Sequence, residues 1–172
     1  MKIQTPWILI ATIAVIALTR LLPHPPNFSP VVAVALFAGA ALADRKLAFL
    51  VPMAAMFVAD LFIGFHDQMV FIYLAMALVV AFGFMLGKNR KPGILAGSAI
   101  LGSVIFFILS NTGMWWLSGI YPHSADGLLA CYVAALPFFH NTVLATVLYS
   151  ALLFGIEYLL RRRSLRDTMT IG

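Results

Sequence analysis

Charge is the scarcest property of this chain. Eleven Lys and Arg and six Asp and Glu among 172 residues make only 10% of it charged, against about 25% in an ordinary soluble domain. With 63% apolar residues and a mean hydropathy of +1.01, the composition excludes a water-soluble globule and requires a lipid setting, where buried charge is costly. Cysteine is nearly absent: Cys131 stands alone, so no internal disulfide and no Cys-rich metal cage can form. There is no Gly-x-Ser-x-Gly, no phosphate loop and no dinucleotide fingerprint. A membrane β-barrel is excluded as well, since the apolar runs are continuous rather than alternating. The net charge of +5 carries no nucleic-acid footprint, because nearly every base lies in a short break between apolar segments and acts as a topology signal.

What the chain does have is apolar length. An upright helix needs about 20 residues at 1.5 Å each to cross the hydrocarbon, and six runs approach that: residues 7–22, 30–43, 47–65, 69–87, 94–118 and 138–160. The expected fold is an all-α integral membrane protein, a six-transmembrane-helix bundle forming one domain over residues 1–163, with a short cytoplasmic tail at 164–172. Lys2 ahead of the first run fits a signal peptide, but the small-residue cleavage pattern is missing, so the run is expected to stay as a helix. The longest break, 119–137, contains the apolar stretch 128–136, expected as a short extra helix lying against the outer mouth between helices five and six.

Basic residues in short loops stay on the cytoplasmic side. Lys2, Arg45, Lys46, Lys88, Arg90, Lys91, Arg161, Arg162, Arg163 and Arg166 all fall on one side of the six-span threading, which places both termini inside. Arg20, near the outer end of helix one, is the exception. The outer breaks hold or abut His24, His66, His123 and His140 together with Asp67 and Asp126, so the polar chemistry gathers on the outward half.

Several features there are candidates for solute binding. The second run opens with Asn27-Phe28-Ser29-Pro30, with Ser29 suited to the N-cap and Pro30 to the first helical position. It spans only about 21 Å, so its start is expected below the outer surface. A recessed helix N-terminus either receives an acceptor or anionic group of a ligand or is capped by water or a loop. Arg20 and Asp60 are charges at membrane depth, expected to pair across helices one and three or to meet a ligand. Asn111, Trp115 and Ser118 share a helical face, where Asn111 either bonds to helix six or reads a solute. Thr142 and Thr146 are expected to bond the preceding turn, and Glu157 with Arg161 forms an i, i+4 pair. Ala35, Gly39 and Ala43, and Ser98, Ala99, Gly102 and Ser103, are small-residue surfaces that either pack inside the bundle or face a partner's helix. The four histidines match no compact metal-ligand spacing, and no metal is expected.

The stretches 20–30, 60–66, 111–115 and 121–142, beginning Arg20-Leu21-Leu22-Pro23-His24-Pro25-Pro26 and ending Phe138-Phe139-His140-Asn141-Thr142, resemble an uncharacterised family of bacterial six-helix membrane proteins described as transport proteins. That family is similar in size, helix number and outward polar loops to the substrate-binding S components of energy-coupling-factor (ECF) vitamin transporters. The resemblance implies a bacterial cytoplasmic-membrane receptor for a vitamin-like solute, energised by a transmembrane coupling subunit with ATPases. Ala11, Ala14 and Ala17 depart from the S-component docking motif by a spacing of three rather than four. The function expected on these grounds is uptake of a small micronutrient by Arg20, Asn27, Asp60, Asn111, Trp115, Tyr121, His140 and Asn141, with membrane lipid around the bundle, no cofactor and no nucleic-acid partner. The alternatives are a membrane scaffold using the small-residue stripes, or an enzyme using Asp60 with His66 or His140.

Overall fold

Apolar runs in lipid fold as helices because a helix satisfies its own backbone hydrogen bonds. The computed structural model describes residues 6–87 and 89–170. Lys2 and Lys88, two of the bases used for orientation, and residues 171–172 of the expected tail lie outside the described residues. Within them the chain is all-helical: α1 Pro6–Leu18 with a 3₁₀ turn Thr19–Leu21, α2 Val31–Ala41, α3 Arg45–Ile63, α4 Met69–Leu86, α5 Pro92–Leu117 and α6 Ala125–Thr170. Four of these, α3 to α6, are long and apolar enough to cross a membrane, while α1 with its 3₁₀ turn and α2 are shorter apolar helices. Large apolar side chains point outward, with Phe62 75%, Val70 71% and Met85 81% exposed. Such an exterior needs an apolar surrounding.

The core is α2. Every residue from Val31 to Gly39 is buried, as suits a helix that is apolar all round, and α1, α3, α4, α5 and α6 all pack against it. Its closest crossing is with α4. A Cβ added at Gly39 would collide with the Val80 carbonyl, and one at Gly83 with the Leu36 carbonyl, so the two backbones meet without side chains between them. Ala35 and Gly39 therefore lie inside the bundle. Ser98, Ala99, Gly102 and Ser103 on α5 are also buried, with Gly102 facing Val32.

Three expectations are corrected. Ser29 does not cap α2: Pro30 takes the N-cap position with φ −73° and no side-chain cap bond forms. The pyrrolidine ring already holds a helical φ, so entry to the helix needs no serine. The third helix starts earlier than its apolar run because the Asp44 carboxylate accepts from the Lys46 and Leu47 amides at 2.8 and 3.3 Å. The stretch 128–136 is not a separate helix, since α6 continues through Pro137. That half of α6 is held along α5: the Tyr132 and Thr112 hydroxyls share a hydrogen bond at 2.8 Å, and the Cys131 thiol donates to the Asn111 carbonyl at 3.5 Å. A neighbouring helix of this kind lets an apolar helix tolerate a proline. α6 is helical as far as Thr170.

The crossing of α2 and α4 sets a clear expectation. Gly39→Ala lowers stability by about 1–3 kcal/mol, the usual range for overpacking, whereas Gly97→Ala, whose added Cβ meets nothing within 4 Å, leaves it unchanged. Thermal unfolding of the two variants in the same detergent separates them.

Candidate functional site

The 3₁₀ turn at the end of α1 brings Arg20 to α3, where its Nη1 donates to Asp60 Oδ1. The other carboxylate oxygen accepts from the Tyr73 hydroxyl of α4 at 2.8 Å. Asp60 is 1% exposed and the Arg20 side chain 15%, so this is a buried ion pair whose carboxylate is fully hydrogen-bonded. It ties three helices together at the end of the bundle where the loops 22–30, 64–68 and 118–124 lie. Neither His66 nor His140 is bonded to Asp60 among the described residues.

Beside Arg20 opens a cavity of about 460 Å³, within the range of small-molecule sites. Its roof is the loop into α2, with His24, Asn27 and Ser29, and its floor is the first turn of α2, Val31 and Val32. α5 contributes Phe106, Phe107, Ser110, Asn111 and Met114, α6 contributes Cys131, Phe138 and Thr142, and Gln68 and Tyr121 stand at the rim. The walls are thus largely aromatic and aliphatic, with a few amides and hydroxyls. Two polar atoms are conspicuous. Ser29 Oγ is buried with no hydrogen-bond partner. Asn111 donates from Nδ2 to the Phe107 carbonyl at 2.8 Å, and no donor reaches its Oδ1 among the described residues.

The roof is a tight turn. The Phe28 amide donates to the Pro25 carbonyl at 3.0 Å, with Pro26 and Asn27 at the centre and Asn27 at φ 60°, a left-handed position that Asn tolerates. From α6, Asn141 Nδ2 donates to the Pro26 carbonyl at 3.0 Å and the Thr142 hydroxyl to the Asn27 carbonyl at 3.4 Å. These bonds pin the turn over the start of α2.

Of the residues expected at the site, Arg20, Asn27, Asn111 and Tyr121 line the cavity. Asp60 lies behind Arg20 and acts on the cavity only through it. Asn141 braces the roof instead of lining the space. Trp115 is turned away: its Nε1 donates to the Pro122 carbonyl at 2.8 Å, and its ring packs with Trp116 and His123. His140 is exposed and is not among the lining residues. The aromatic walls come from Phe106, Phe107 and Phe138. Phe107 and Met114 flank Asn111 at i−4 and i+3 and so share its helical face, which marks them in the sequence as companions of Asn111 alongside Trp115. No group of three His, Cys, Asp or Glu side chains placed to hold one metal ion occurs among the described residues.

The chain belongs to a family of unknown function (DUF6580), whose model matches residues 1–168. No curated protein and no solved structure matches it.

Breaking the buried pair alone is expected to be severe. Arg20→Gln strands the Asp60 carboxylate and lowers stability by about 3–5 kcal/mol, while Arg20→Met combined with Asp60→Leu recovers most of the loss. Unfolding midpoints of the single and double variants check both statements.

Proposed function

We propose that the chain is a membrane transport protein that captures a small, vitamin-like solute in the cavity beside Arg20 and carries it inward. In this reading it works in a bacterial cytoplasmic membrane as an S-component-like binding subunit, with both termini inside. A transmembrane coupling subunit with ATPases supplies the energy. The observation that carries the reading is the cavity of about 460 Å³, lined by phenylalanine rings and by Asn111, whose Oδ1 receives no donor among the described residues. A polar atom left without a partner on burial costs about 1–3 kcal/mol, and a donor on a solute filling the cavity would be the partner of Asn111 Oδ1.

The lining indicates what the solute looks like. Arg20 is already neutralised by Asp60, so an anionic group is not required. Asn111 Oδ1 accepts a donor, and the phenylalanine rings suit a flat ring system. A neutral heterocycle bearing an N–H or O–H group fits this set. The small-residue surfaces on α2 and α5 are used for packing within the bundle, so they lend the scaffold alternative no support.

Mass spectrometry of the small molecules released from gently purified protein tests the reading. One compound near one equivalent is expected, and adding it back at a hundred times its Kd raises stability by about 2.7 kcal/mol. Asn111→Ala weakens its binding by up to about tenfold, and Trp115→Phe leaves it unchanged. A preparation that releases nothing and whose unfolding midpoint is indifferent to a panel of vitamins overturns it.

A further inference from the structure

At the opposite, basic end of the bundle a second cavity of about 530 Å³ runs between α5 and α6. Its walls are almost wholly apolar and small: Leu95, Ala96 and Ala99 from α5 face Ala151, Phe154 and Gly155 from α6. A Cβ at Gly155 would meet nothing within 4 Å, and Ala96 and Ala151 are exposed, so the trough opens sideways onto the lipid-facing surface. At its mouth Glu157, 1% exposed, accepts from Arg90 at 3.2 Å and from Arg161 at 2.7 Å. Arg161 keeps its side chain 42% exposed, and the Arg162 guanidinium sits 5.0 Å over the Tyr158 ring. With Arg90, Arg161 and Arg162, three guanidiniums stand at this mouth with one carboxylate.

We propose that this trough holds one acyl chain of an anionic phospholipid, with the lipid phosphate against Arg161. Length and charge support that occupant. From Val147 to Arg161 the trough extends about 21 Å at 1.5 Å per residue, which is half of a bilayer of about 40–45 Å including headgroups. The surplus of guanidiniums selects an anionic head, and an arginine can meet phosphate with two parallel hydrogen bonds. A second copy of this chain would bring the same cations face to face. Ser150 lines the floor with its Oγ fully buried, so neither an acyl chain nor a polypeptide lying in the trough reaches that hydroxyl.

The test is native mass spectrometry of the full chain, delipidated in mild detergent and titrated with phosphatidylglycerol or with phosphatidylcholine of the same acyl chains. One phosphatidylglycerol is expected to bind at roughly tenfold lower concentration than phosphatidylcholine. Arg161→Gln removes that preference, Ala151→Phe weakens binding of both lipids by filling the trough, and Ser150→Ala changes neither. Should Ala151→Phe fail to fold, the Arg161→Gln comparison still decides. Equal binding of the two lipids in the unaltered chain overturns the proposal, as does a co-purified polypeptide that Ala151→Phe releases. Neither result bears on whether a solute occupies the cavity beside Arg20.

Discussion

A helix of eleven residues, about 16 Å long, cannot by itself reach both faces of a hydrocarbon layer of about 30 Å. α2 is such a helix, and it is enclosed on every side. The bundle therefore has a dense middle, where Gly39 and Gly83 let α2 and α4 touch backbone to backbone, and unfilled space beyond the first turn of α2. The loop 22–30 folds back over that space, and α5 and α6 complete its sides. The cavity is a consequence of the short central helix.

Charge placement follows from the same economy. Ionised groups at membrane depth persist when paired and hydrogen-bonded, and both buried carboxylates obey this. Asp60 is held by Arg20 and Tyr73 at one end, and Glu157 by Arg90 and Arg161 at the other. Arg90 also donates to the Ala40 carbonyl at 2.6 Å and the Gly87 carbonyl at 2.5 Å. It thereby satisfies carbonyls near the ends of α2 and α4. Each network locks its end of the bundle, and each stands beside a cavity without filling it.

Much of this was legible in the residues. The apolar runs located all six helices, because continuous hydrophobicity bounded by Pro, Gly and charge leaves few alternatives in lipid. The shortness of α2 and the meeting of Arg20 with Asp60 followed from length and from the cost of an unpaired buried charge. What was not legible depends on rotation and on local competition. Trp115 and Asn111 are neighbours on a wheel, yet the Pro122 carbonyl claims the indole N–H and turns that ring away. Pro137 reads as a helix end, but contacts of Cys131 and Tyr132 with α5 carry α6 through it. Ser29 reads as a cap, and the φ of the following proline makes the cap unnecessary. The trough between α5 and α6 left no periodic mark, since alanine and glycine serve equally well in tight packing and in open grooves.

Cys131, the one cysteine in the chain, is 2% exposed and bonded to the Asn111 carbonyl, too buried to react. Cys131→Ala combined with Ser110→Cys, a half-buried position lining the cavity beside Arg20, therefore supplies the probe. The decisive measurement is its modification by a small water-soluble thiol reagent in sealed proteoliposomes of known orientation. A water-reachable cavity gives one label per folded chain, added from the face opposite Arg161, at a rate that falls when the molecule released from the purified protein is restored. Labelling that waits for global unfolding, or that only a lipid-soluble reagent achieves, would mean that no solute can enter from water there.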